Sequence, residues 1–239
     1  MKGFPWLRRL MVLMLLGSHG TAYAWHDQTH LAVSKAAGYR EWYNSAAADM
    51  VKTKAHQVEE YNHWYNNNKR AEITAETVLE QAGRYDDGND PEGHLLGAII
   101  GSLREYQASK VSHKYAEYNL AFCAHYVGDL SQPLHNTPYN DFNKSHHLDN
   151  DGVVEKDALT DANLQKIRNR MYPICLKTER DLAREIARIA NLTRLLGYRL
   201  EKENRNMTTQ EAYLQLGHSA SLLKAILAYV HDDKAEGIR

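Results

Sequence analysis

The segment HYVGDLSQPLH, residues 125–135, carries the densest chemistry in the chain. His125 and Asp129 stand four residues apart in an apolar helical run, a spacing that stacks both side chains on one helix face. Pro133 then ends the helix, and His135 turns back toward the same point. Two imidazoles and a carboxylate brought together in this way are ligands for a borderline divalent metal such as zinc, and a carboxylate can also bridge two close ions.

A second pair follows in SHHLDNDG, where His147 and Asp151 again have the four-residue spacing of one helical face. His146 and Asp149 are its competitors, because the Asn-Asp-Gly sequence can interrupt a helix. A third candidate is His94, just after the turn-rich stretch GRYDDGNDPEG of residues 83–93, where Asp86, Asp87 or Asp90 can act as its partner. The same residues also suit an acidic turn facing solvent.

The elements that must position these groups are helical. Apolar residues recur at three- and four-residue spacing over 30–42, 46–68, 92–107, 115–130, 175–204 and 208–230, and no segment alternates with a period of two. The expectation is an all-α fold, a single-domain helical bundle. Tyr61, Trp64 and Tyr65 fall at helical spacing and are expected to pack in the core. Two stretches break the pattern: residues 83–93, and residues 131–152, which read as a long polar loop. Loops of that length are usually functional, and both stretches carry His or Asp.

With 239 residues, 43% apolar and 25% charged, the chain can bury one sizeable core. Its first 24 residues read as a removable signal peptide: Lys2, Arg8 and Arg9, then the apolar LMVLMLLG, then Ala22-Tyr23-Ala24 as a small-x-small cleavage site. The apolar run is too short to span a bilayer. Residues 25–239 are expected to be the mature domain, exported to the periplasm or beyond. Without the three leader cations the balance is 26 Lys plus Arg against 30 Asp plus Glu. That acidity argues against nucleic-acid binding through a basic surface, but not against an enzyme whose metal ions hold the phosphate. Cys123 and Cys175 can pair in an oxidising compartment, or Cys123 can stay a buried thiol.

Taken in order, Trp25, His30, Asp86, His94, His125, Asp129, His135, His147 and Asp151, with Gln132-Pro133-Leu134 leading into His135, resemble the ligand series of the zinc-dependent phospholipase C and single-strand nuclease superfamily. The resemblance implies a trinuclear zinc site, three Zn2+ per chain. In it the freed amine and carbonyl of Trp25 join His30 at one ion. Asp86, His94 and His125 hold the second, Asp129 bridges these two, and His135, His147 and Asp151 hold the third. Asp86 is preferred to Asp87 because Ala82 to Asp86 fits the family's segment in register, although the gap to His94 is tighter than usual. Asp86 is also implied to orient the attacking water.

The chemistry so implied is phosphodiester hydrolysis, in which two close zincs lower the pKa of a shared water and a third stabilises charge on the phosphate. GDLSQPLH is close to the nuclease version. Only 12 positions separate His135 from His147, however, and this resembles the bacterial phospholipases. The expected activity is therefore a phospholipase C acting on phosphatidyl lipids at a membrane surface, giving diacylglycerol and a phosphorylated headgroup. The alternatives are a zinc nuclease or nucleotidase on single-stranded nucleic acid, and a non-catalytic periplasmic zinc-binding protein. No protein partner is implied.

Overall fold

The computed structural model describes residues 25–55, 57–112 and 115–232. The expected signal peptide, and the bond whose cleavage would free Trp25, lie outside the described residues. Among those residues the regular structure is all helical. The helices are α1 (Asp27–Ala37), α2 (Ala47–Ala55), α3 (Gln57–Glu60), α4 (Ala75–Ala82), α5 (Leu95–Ser112), α6 (Ala116–Leu130), α7 (Asp141–Asp151), α8 (Asp161–Arg168), α9 (Glu179–Glu203) and α10 (Thr209–Asp232). Short 3-10 turns lie at Trp42–Asn44, Pro133–Asn136 and Glu155–Asp157. No helix of the described residues is long and apolar enough to cross a membrane.

Local sequence accounts for most of the boundaries. At the start of α9, the Thr178 hydroxyl accepts from the Asp181 N–H while Asp181 reaches back, a reciprocal cap that satisfies two otherwise orphaned donors. The helix ends at Asn204, whose φ of 46° is left-handed. Leu182, Ile186, Ile189, Leu196 and Leu200 form its buried stripe. Thr74 and Thr77 cap α4 in the same way.

Besides α4 and α8, which fall in stretches given no helix from sequence, the structure departs from the sequence reading in three places. α1 stops at Ala37 rather than continuing to 42, because Gly38 takes a left-handed φ of 85°, its N–H donating to the Lys35 carbonyl and the Tyr39 N–H to the Ser34 carbonyl. The apparent helix 46–68 divides into α2, α3 and a turn. The polar stretch 131–152 is mostly structured, with a 3-10 turn and then α7. Asn140 caps α7 by accepting from the Asn143 N–H. Its buried residues are Asn143, His147, Asn150 and Asp151, so the apolar stripe that marks a helix in sequence is missing.

α6 is the central element, packed against α1, α2, α5, α9 and α10, while α4 and α9 flank α5. Leu95, Leu96, Ile99 and Ile100 of α5 and Tyr126, Val127 and Leu130 of α6 are almost completely buried. Each such aliphatic side chain contributes roughly 1.5–3 kcal/mol by burial, so the helix that carries His125 and Asp129 is held from several sides. Cys123 lies buried on α6 and Cys175 is exposed, and neither forms a disulfide. Burial pushes the Cys123 thiol up to about 12, which makes it an inert core residue.

Candidate metal centre

α6 presents His125 and Asp129, both fully buried, from the same face. The two Asp129 oxygens look in different directions. Oδ2 lies 3.1 Å from His63 Nδ1 and 3.3 Å from His125 Nε2. Oδ1 lies 3.3 Å from His30 Nε2 and 3.7 Å from His135 Nδ1. His30, from α1, lays its ring on that of His125 with centroids 3.8 Å apart.

Two members of this cluster escaped the sequence reading. Asp49 comes from α2 and His63 from the turn after α3. Asp49 Oδ1 stands 3.6 Å from His63 Nδ1 and 3.7 Å from His125 Nε2. On the continuous helix expected over 46–68 these residues would be more than three turns apart. The actual chain folds back between them. No glycine or proline lies between Asp49 and His63 to mark the break.

The third group assembles as the spacing predicted. His135 and His147 face each other with Nε2 atoms 3.1 Å apart, and His147 Nε2 lies 3.5 Å from Asp151 Oδ2. Gln132 donates its amide N–H to Asp151 Oδ1 and accepts the Leu134 N–H. The competitors are engaged elsewhere: His146 stacks on Phe142, and Asp149 accepts from Asn206. Three ligand sets therefore have their donor atoms within 4.8 Å of one another: His30, Asp49 and His125; His63, His125 and Asp129; and His135, His147 and Asp151.

The surrounding residues turn imidazole lone pairs inward. His125 Nδ1 donates to the Ser45 carbonyl at 2.8 Å, and His147 Nδ1 donates to Asn143 Oδ1 at 2.7 Å. Each neutral ring then offers Nε2 as a ligand, the arrangement that fixes metal-binding histidines. Both His30 nitrogens, Asp129 Oδ1, His135 Nδ1 and Asp151 Oδ2 are buried without a hydrogen-bond partner. Such atoms cost about 1–3 kcal/mol each, and bound cations would satisfy the lone pairs among them, though not an imidazole N–H. The buried His/Asp clusters can thus hold metal ions, and the nitrogen and oxygen donor set suits zinc.

The titratable groups of the cluster shift one another strongly. Burial keeps the pKa of His30 low and that of His135 well below the imidazole range. Burial would also lower His125, but Asp129 and Asp49 outweigh it and push the group to about 9. Asp129, despite burial, is held well below the carboxylate range by His125 and His30. Asp151 is pushed well above it, by burial first and by Asp129 as well.

The structure places Asp86 and His94 outside these three ligand sets, apart from the His125 they were expected to join. His94 Nδ1 lies 3.0 Å from Asp90 Oδ2, and its Nε2 lies 2.9 Å from Asn62 Oδ1. Both nitrogens are occupied. Asp86, exposed and at φ 63°, accepts from Asn62 Nδ2 at 2.8 Å. Asp87 caps its own turn by accepting from the Asn89 N–H. The His94 partner is therefore Asp90, which also takes Arg84.

These groups brace the turn that presents His63. The His94 N–H donates to the Tyr61 carbonyl, the Asn66 N–H to the Glu92 carbonyl, and the Leu95 N–H to the Trp64 carbonyl. Gly93 makes this approach possible: at φ 77°, a β-carbon there would sit 2.2 Å from the Trp64 carbonyl oxygen. From the other side, the Tyr65 N–H donates to the His135 carbonyl at 2.8 Å.

Trp25 is completely buried in the apolar core, two residues before α1. Trp64 is only partly buried. With Glu60, Asn66, Pro91, Leu134, Tyr139 and His147 it lines a cleft of about 210 Å³. Lys52, nearly buried on α2, holds its ammonium 3.9 Å from Asp49 Oδ1 and 5.5 Å from the centroid of a Trp64 ring. A cation thus stands between the ligand cluster and the residue that walls the cleft.

No protein-family model, curated protein or solved structure matches the chain.

Proposed function

We propose that this chain is an exported, trinuclear-zinc phosphodiesterase, and that it acts as a phospholipase C. The observation that carries the reading is Asp129. One buried carboxylate directs its two oxygens to His63 and His125 on one side and to His30 on the other, while the His135, His147 and Asp151 set adjoins it. Such a carboxylate would suit a ligand shared by two ions, and the adjoining set would suit a third. His30, Asp49, His63, His125 and Asp129 would hold two ions, with the freed Trp25 amine completing the set. His135, His147 and Asp151 would hold the third.

Zinc supplies, when bound, water acidified toward neutral pH and positive charge against the phosphoryl oxygens. The protein's own residues do the rest. Asp49, Asp129 and Asp151 set the charge and spacing of the centre. Lys52 reaches the same region with an ammonium able to pair with a phosphoryl oxygen. Trp64, Leu134 and Tyr139 wall the cleft beside His147, giving a glycerol-phosphate ester an apolar surface to leave water by. Zinc ions would take over the counter-charge that a basic surface provides elsewhere, in keeping with the slight excess of acidic residues.

Metal content and substrate are tested in sequence. The processed protein should carry three tightly bound zincs per chain, and substantially fewer would remove the basis of the enzyme reading. Phosphatidylcholine vesicles and single-stranded nucleic acid are then assayed side by side, with and without chelator. Chelator-sensitive release of diacylglycerol is expected. Cutting of nucleic acid with inert vesicles would transfer the assignment to a nuclease, and zinc binding without turnover on either would leave a zinc-binding protein.

A further inference from the structure

Glu59 is a carboxylate with 3% of its surface exposed, and among the described residues no Lys or Arg ion-pairs with it. Its Oε1 accepts the Tyr126 hydroxyl at 2.6 Å and lies 3.3 Å from His63 Nε2. Its Oε2 lies 3.4 Å from Asn62 Nδ2. The opposite nitrogen of the same ring, His63 Nδ1, is the one that faces Asp129, Asp49 and His125. Burying a carboxylate among neutral donors is expensive unless positive charge is nearby. Among the contacts Glu59 makes in the described residues, the one that leads toward such charge is the His63 ring, which faces the centre.

We propose that Glu59 is the positioning residue of His63. Its Oε1, 3.3 Å from a His63 Nε2 that has no other partner, favours the proton on that nitrogen and so the tautomer that turns the Nδ1 lone pair inward, and raises the ring's basicity as a metal ligand. Carboxylate, imidazole and metal in line form a recurrent second layer around zinc, and losing the carboxylate usually weakens binding 10–100-fold. Asn62 and Tyr126 hold Glu59 in place. His94, Asp90 and Asp86 hold Asn62, so the acidic loop 83–93 acts on the centre through this chain of contacts. The proposal rests on the metal-centre reading above.

The test is titration of the chelator-stripped, processed protein with Co2+, whose visible spectrum reports ligand geometry, in parallel with zinc competition. Glu59→Gln should bind its weakest ion of the His63 cluster 10–100-fold less tightly with an altered cobalt spectrum. The ion at His135, His147 and Asp151 should be unaffected. The melting temperature of metal-free Glu59→Gln should not fall, because the variant removes a buried charge. A lowered metal-free melting temperature with unchanged affinity and spectrum would make Glu59 merely structural and overturn the proposal. If Glu59→Gln does not fold, Tyr126→Phe frees the same carboxylate: a several-fold weaker ion at His63 is expected, and no change overturns the proposal. Failure of the unmutated protein to bind cobalt or zinc would instead overturn the metal-centre reading itself.

Discussion

Gly128 and His30 stand so close that a β-carbon on Gly128 would lie 2.4 Å from His30 Nδ1. Gly128 sits inside α6 between the turns that carry His125 and Asp129, where glycine costs about 1 kcal/mol relative to alanine. The helix forgoes that stabilisation to let α1 bring His30 against the His125 ring. Gly128→Ala should therefore leave helicity intact but push His30 away and lower the bound zinc by at least one ion per chain. Metal analysis with circular dichroism checks this, and full occupancy would show that α1 can shift without cost.

Asp129 and Asp86 are both carboxylates, but only Asp129 touches ligand atoms. Asp129→Ala should remove two ions together, since both lose their shared ligand, and abolish turnover. Asp86→Asn should retain all three ions, because its contact with Asn62 survives as an amide hydrogen bond. Zinc content of the two purified variants decides between the ligand set seen in space and the one expected from sequence order.

Lys52→Met keeps an aliphatic stem against Trp64 and removes the ammonium. If Lys52 pairs with a phosphoryl oxygen, the variant should bind three zincs yet lose roughly 100-fold or more in kcat, the usual scale for losing one preorganised charge partner. Loss of metal in step with activity would place Lys52 in the support of Asp49 instead.

Stability of the metal-free protein should depend on pH through His125. Its pKa rises from 6.5 in the unfolded chain to about 9 in the fold, so the charged imidazole paired with Asp129 is stabilising. That contribution, up to roughly 3 kcal/mol by linkage, is fully present below about pH 6.5 and lost as pH rises through about 9. Zinc needs the neutral ring, so its affinity should rise over the same window. Melting temperatures of stripped protein and zinc titrations from pH 6 to 9.5 should therefore slope in opposite directions; parallel slopes would contradict the His125 assignment.

The residues legible in the sequence were those whose geometry is local. His125 and Asp129, and His147 and Asp151, meet their partners through one helical turn, and Pro133 and Gln132 return the chain to His135 within a few bonds. Helical periodicity is a local property as well, and it identified α5, α6, α9 and α10 closely. It failed where polarity served the site: α7 turns His147, Asp151 and Asn143 inward, so no apolar stripe announced it. It also failed where a helical pattern continued across a turn, as at residues 61–68.

What only the tertiary structure decided is which distant residues complete the cluster. Asp49, His63 and Glu59 lie in one stretch whose periodicity disguises the fold-back, and the proximity of Asp49 and His63 depends on α2 packing against α6 and on the loop 83–93 bracing the turn. Asp86 and His94 had the residue types and the order of ligands, but their hydrogen bonds to Asn62 and Asp90 use the atoms a metal would need. Side-chain type sets what a residue can bind, whereas backbone hydrogen bonds between remote segments set which atoms remain available to bind it.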